Sequence, residues 1–248
     1  MEQAIRHVRT SPPRSLLFQL TAHCSILKHP DTNFTVIVNT DNGPGSTVWP
    51  SGQYIDAIEL LNKFSNVQTL GYINIDGGKS DNVTVRKQIE TYAGWSNVSE
   101  KLGLSGVYFD QTPWKDEGDA KAYLKNITAT AKQSEGFGAT PVVVHSPGRC
   151  PDEALTKLGA DITIVFERSY AEMPDRKKLH DMLAPSSGTR QEYAMLVHSV
   201  PRTIKSDGLR KIVEDTRRDV EWLYVTDLTD DVYDGFGSLL DMWLDVTW

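Results

Sequence analysis

Two carboxylates stand at the ends of short apolar runs: Asp110 closes SGVYFD (105–110) and Glu167 closes DITIVFE (161–167). A pair of carboxyl groups flanking a sugar–sugar bond can hydrolyse it, one giving a proton to the leaving oxygen and the other acting as base or nucleophile. A plainer reading is also open, in which Asp110 caps the next loop and Glu167 pairs with Arg168. Other polar side chains end apolar runs in the same way: Asn39, Asn74 with Asp76, Gln111 beside Asp110, His145, His198 and Asp227. Gathered at one place, these would hydrogen-bond sugar hydroxyls, and Tyr72, Trp49, Trp114 and Tyr170 could stack on sugar rings or cover the pocket. Either histidine could equally be a satisfied structural one, and Asn39 with GPG at 43–45 could be turn chemistry alone.

Other chemistries fit poorly. His145 and His198 lack the close spacing of a zinc site, so no metal is expected. Ser146 and Ser199 lie in no G-x-S-x-G elbow, which argues against a serine hydrolase. NTDNGPGS (39–46) carries no P-loop lysine, and no G-x-G-x-x-G follows the first clear strand. No cofactor is expected.

The elements that must position these residues alternate from residue 34 onward. Strands are expected at 34–39, 67–74, 105–110, 140–146, 161–167, 192–199 and 221–227. Most are near-continuous apolar runs, the pattern of strands buried on both faces in a parallel sheet covered by helices. Helical periodicity occupies 52–64, 81–95, 119–135 and 206–219, with shorter helices expected at 152–158, 175–183 and 235–246. An open doubly wound sheet and a closed (β/α)8 barrel both fit, and the strand count favours the barrel. Its first strand would have to come from residues 1–32, where only LLFQL (16–20) resembles one.

The 248 residues are 39% hydrophobic and 24% charged, enough for one domain of barrel size. A net charge of −7 argues against a nucleic-acid partner, which needs a basic stripe. No run of 18 apolar residues suggests a membrane span. Cys24 and Cys150 read as two free thiols, with one disulfide as the alternative. Sequons at Asn33, Asn82, Asn97 and Asn126 lean towards a secretory history, whereas the N-terminus has no signal-peptide core. The two observations are reconciled if the start of the chain is incomplete.

The runs FTVIVNTDNGPGS, NVQTLGYIN, IETYAGWS, GVYFDQTP and IVFERSY, and the closing YVTDLTDDVYD, resemble the spherulin-4-like family in that order. The resemblance covers residues 33 to 248 as a single barrel domain, with residues 1–32 as an atypical N-terminal segment. It implies a (β/α)8-barrel glycoside hydrolase, secreted or at the cell surface, of a mostly fungal family. The implied activity is endo-cleavage of α-1,4-linked N-acetylgalactosamine (GalNAc) in the exopolysaccharide galactosaminogalactan. Carried over by motif, Asp110 matches the Asp of the family's Asp-Glu pair and Glu167 its later Glu, while Gln111 stands where the family has Glu. Glutamine keeps the size and hydrogen bonding but cannot exchange a proton. If that position is the general acid, its loss removes roughly 10²–10⁴ in rate. GYINIDGGK also lacks the family's tyrosine after the third strand, and the opening residues do not match the family's first strand. A barrel without that strand would expose two sheet edges and be poorly stable or soluble. Three expectations stay open: a hydrolase, a pseudo-hydrolase that only grips the polysaccharide, and a wall-associated protein with no retained site.

Overall fold

The computed structural model describes the backbone of residues 3–9 and residues 25–230, 232–233, 235 and 237–246. Eight parallel strands follow one another round a closed barrel. They are β1 (Gln3–Arg9), β2 (Asn33–Asn39), β3 (Val67–Asn74), β4 (Gly106–Asp110), β5 (Val142–Ser146), β6 (Ile162–Ser169), β7 (Tyr193–His198) and β8 (Trp222–Val225). The helices are α1 (Gly52–Leu61), α2 (Asn82–Val98), α3 (Ala120–Lys132), α4 (Arg176–Leu183), α5 (Ser206–Thr216) and α6 (Leu240–Val246). The expected helix at 152–158 is only a 3₁₀ turn, Glu153–Leu155, so β5 and β6 are joined by a mainly irregular segment.

The strands form where the sequence is apolar because both of their faces are covered. β2 is buried from Phe34 to Asn39, and β4 from Gly106 to Phe109. Alternate residues serve different layers. Val107, Phe109 and Val143 pack outward against Ile89, Tyr92 and Trp95 of α2 and Leu124 and Ile127 of α3. Phe34, Tyr72, Tyr108, Val144, Ile164 and Leu196 belong to a second apolar cluster. Helix starts are set by local chemistry: the Asp81 carboxylate accepts from Val83 N and Thr84 N at the head of α2, and Asp175 accepts from Lys178 N at the head of α4. α5 turns Leu209, Ile212, Val213 and Thr216 inward, at the spacing of one helical face.

The first strand corrects the sequence expectation. It is Gln3–Arg9, paired residue for residue with Gln3↔Asn33 through Arg9↔Asn39, and not LLFQL, which lies outside the described residues. β1 also meets β8 through Gln3↔Trp222, so the two exposed edges anticipated for the barrel are absent among the described strands. That seam rests on a single register pair, whereas the β1–β2 pairing spans the whole of both strands. Cys24 also lies outside the described residues, and with it the question of a disulfide to Cys150. No described helix is long and apolar enough to cross a membrane.

Candidate active site

Register carries the chemistry to the C-terminal rim of the strands. Asn74, Asp110 and Ser146 are direct partners across β3, β4 and β5, and Glu167 stands on β6, one strand further round. In a barrel of parallel strands this rim is where catalytic groups gather.

Five side chains gather in a polar cluster there. The Tyr72 hydroxyl donates to Asp110 Oδ2 at 2.6 Å. Ser146 Oγ donates to Glu167 Oε2 at 3.3 Å. Tyr108, fully buried two residues before Asp110 on the same face of β4, lies beside Ser146 and close enough to feel the charges of both Glu167 and Asp110. Gly148 lets the β5–β6 segment lie against Glu167. Its φ is +65°, and a Cβ there would sit 3.7 Å from Glu167 Oε2, while its carbonyl accepts from Glu167 N at 3.1 Å.

Burial separates the behaviour of the two carboxyls. Glu167 is pushed up to about 7, first by burial and then by the charge of Asp110, against the opposing Ser146 bond. Burial also raises Asp110, and the net shift stays upward although the Tyr72 hydroxyl and the Gln111 backbone N–H favour its charged form and pull the other way. Near neutrality Glu167 therefore carries a proton for a substantial share of the time. Two carboxyl groups in different protonation states can act as acid and as anionic stabiliser or base. Arg168, offered in the plainer reading as the partner of Glu167, pairs instead with Glu172 at 3.3 Å.

Gln111 sits at the turn that leaves β4. It is exposed and has φ +53°, in the left-handed region that non-glycine residues rarely occupy. Two backbone bonds tie this turn to the neighbouring one: Ile75 N to Asp110 O at 3.1 Å and Gly77 N to Gln111 O at 2.9 Å. Asp76, with φ +45°, lies on that clamped turn. The strain at Gln111 is thus held by the loop carrying Asp76.

Other residues singled out in the sequence have different employment. His145 is a correction: it points away from the pocket. Val144 and Ser146 take one face of β5, so His145 takes the other, buried with Nε2 2.8 Å from Thr128 Oγ1 of α3 and the ring against Phe109. Burial lowers its pKa to about 4, so it is a neutral core histidine. Asn39 Oδ1 accepts from Gly43 N at 3.2 Å and Asn74 Oδ1 from Asp76 N at 2.8 Å, so both amides shape turns. Asp227 Oδ2 accepts from Arg202 Nε and Ser238 Oγ, each at 2.8 Å, and Oδ1 from Leu239 N. Burial would raise Asp227, but Ser238, Arg202 and the backbone donors outweigh it and the net shift is downward. His198 remains at the rim of β7 with Nδ1 2.9 Å from Ser199 Oγ, its pKa lowered by burial against the pull of Glu172. Trp49 is 52% exposed on the loop after β2, and Tyr170, just after β6, is half-buried against the core.

Sequence reasoning missed Tyr108 as a neighbour of the carboxylates. The signal available was its position two residues before Asp110, on the same face of the strand. Among the described residues no group of three His, Cys, Asp or Glu could hold a metal ion.

Comparison with solved structures places this arrangement among relatives. Sph3 of Aspergillus clavatus, solved in complex with GalNAc, is 33% identical and superposes with a TM-score of 0.90 over 99% of this chain and 97% of that one. The class V chitinase of Nicotiana tobaccum (10% identity, TM-score 0.52, 99% and 98% covered) and the chitinase-like agglutinin of Robinia pseudoacacia (8%, 0.53, 99% and 99%) share the fold alone. Comparison with curated protein sequences gives no match. The family model for spherulation-specific family 4 matches residues 21–247, and with the Sph3 likeness it establishes that the chain belongs to the Spherulin4 family.

Proposed function

We propose that this chain is a glycoside hydrolase of the endo-α-1,4-N-acetylgalactosaminidase type, acting on a GalNAc-containing polysaccharide through Asp110 and Glu167. The observation that carries the reading is the pair itself: a Glu167 carboxyl raised to about 7 beside Asp110, whose charged form the Tyr72 hydroxyl favours against burial. The GalNAc bound by Sph3, a relative aligned over nearly the whole chain, supports the choice of sugar. In this reading protonated Glu167 gives its proton to the leaving oxygen, and Asp110 faces the sugar as the anion. Gln111 holds the substrate by its amide. The exposed sequons at Asn82, Asn97 and Asn126 fit a protein made for the cell surface or secretion.

One observation favours a second reading, a binding protein that no longer cuts. No proton-exchanging group stands at position 111, and of the two carboxylates considered as replacements Asp227 is committed to Arg202 and Ser238, while Asp76 lies on the adjoining turn.

Cleavage of an α-1,4-linked GalNAc polymer by the native chain, by Gln111→Glu, and by Gln111→Glu combined with Asp110→Ala separates the two. Cutting by the native chain with little gain from Gln111→Glu supports the hydrolase. Cutting by Gln111→Glu alone, abolished by Asp110→Ala, identifies a disarmed hydrolase. Failure of the folded native chain to bind the polymer at all overturns both.

A further inference from the structure

Trp114 lies three residues beyond Gln111, on the loop between β4 and α3, and is 37% exposed. Its main chain is fixed from the neighbouring β5–β6 segment: Asp152 N donates to Trp114 O at 2.8 Å, and Asp152 Oδ2 accepts from Asp116 N at 2.9 Å. Two cations lean on its indole. The Arg149 guanidinium carbon is 4.7 Å from the ring centroid and Lys115 Nζ is 5.0 Å from it. Lys115 has a carboxylate partner in Glu117. Arg149 has no ion-pair partner among the described residues, so its guanidinium donors are spare.

Arg149 is also tied to the carboxylates. It follows Gly148, which lies against Glu167, and it is bridged antiparallel to Phe166, the residue before Glu167. The two halves of this feature therefore sit on the loop that follows Asp110 and on the segment that packs against Glu167. A flat indole face takes the apolar face of a pyranose, and a guanidinium with unused donors takes its hydroxyl or carbonyl oxygens.

We infer that Trp114 and Arg149 form an accessory subsite for a sugar unit next to the one held at Asp110 and Glu167, so that the protein reads a run of linked sugars and not a single residue. The inference rests on the carbohydrate reading of the pocket. In this arrangement a single GalNAc occupies the carboxylate end alone. A chain of several units reaches Trp114 and gains the stacking.

Calorimetric titration with free GalNAc and with an α-1,4-linked GalNAc hexasaccharide tests this in the native chain, Trp114→Ala, Trp114→Phe and Arg149→Ala. The native chain is expected to bind the hexasaccharide more tightly than GalNAc. Trp114→Ala should weaken hexasaccharide binding about 3–10-fold, with GalNAc affinity unchanged and most of the loss restored in Trp114→Phe. Arg149→Ala should weaken the hexasaccharide about 2–5-fold. Equal hexasaccharide affinity in Trp114→Ala and the native chain overturns the subsite while leaving the carbohydrate reading intact. A native chain that is folded by circular dichroism and binds neither sugar overturns the carbohydrate reading and the subsite with it.

Discussion

The rings of Tyr72 and Tyr108 lie nearly parallel, 17° apart, with centroids separated by 6.2 Å, and both stand beside the candidate carboxyls. Tyr72 bonds Asp110 directly, and Tyr108 lies beside Ser146, whose hydroxyl donates to Glu167. The two strands that carry them are in register at this level, Tyr72↔Tyr108, just as Asn74↔Asp110 are two residues further on. One pair of neighbouring tyrosines thus supports both groups proposed for the chemistry.

Removing either donor should move the carboxyl it serves. Both bonds favour the charged form, so their loss raises the pKa. Tyr72→Phe is expected to raise Asp110 further, and Ser146→Ala to raise Glu167 beyond about 7. Carbon-detected NMR titration of the side-chain carboxyls measures both shifts. Unchanged midpoints would show that burial alone sets these values.

Stability should depend on pH through two buried groups of opposite sign. Glu167 has its folded value raised from 4.5 to about 7, so its contribution is complete below pH 4.5 and fades as pH rises through 7. His145 is lowered from 6.5 to about 4, so its contribution is complete above pH 6.5 and fades as pH falls towards 4. Each amounts to about 3 kcal/mol at most, and the two slopes oppose one another where their windows overlap. Urea unfolding at pH 5 and pH 8 resolves them. Glu167→Gln should gain stability at pH 8 relative to the native chain, and His145→Gln should lose less than the native chain on acidification. Parallel pH profiles in all three proteins would contradict the assignment.

Tyr92 should matter to the site without touching it. Its hydroxyl, buried in α2, lies 3.0 Å from Tyr72 O and 3.1 Å from Val38 O, fixing β2 and β3 at the height of Tyr72. The ring packs so closely on Gly71 that a Cβ there would come within 2.5 Å of it. Tyr92→Phe is expected to cost about 1–3 kcal/mol, and Gly71→Ala about as much through overpacking. In a chain of this size each 1 kcal/mol lowers Tm by roughly 2–4 °C. A thermal melt within 1 °C of the native value for both variants, on the order of measurement error, would refute this.

Asp227 is expected to behave as a structural residue. It ties the loop after β8 to Arg202 and to Ser238 and Leu239, ahead of α6. Asp227→Ala should lower stability by about 1–3 kcal/mol, because the buried Leu239 N–H loses its acceptor and the loop loses its ties to Arg202 and Ser238. Hexasaccharide affinity should stay at the native level. A large loss of affinity in a protein of native stability would return Asp227 to the sugar site.

The sequence by itself determined the order of the seven strands from β2 onward and the strand-end positions of Asp110 and Glu167, and its strand count favoured the barrel over an open sheet. Strands covered on both faces must be apolar throughout, and that shows as runs such as VQTLGYIN and SGVYFD. The family resemblance added the expected sugar and the departure at Gln111. The tertiary structure decided which side each residue of those runs faces. In TPVVVHS no change of polarity distinguishes the two faces, so His145 and Ser146 read alike until barrel closure sends one to Thr128 and the other to Glu167. Tyr108 looked like any core aromatic for the same reason. The first strand was hidden differently: QAIRHVR carries four polar residues in seven, and long-range pairing with Asn33–Asn39 makes it a strand where local propensity does not. Inside and outside, like strand pairing, are properties of distant segments brought together, and a single run of residues does not contain them.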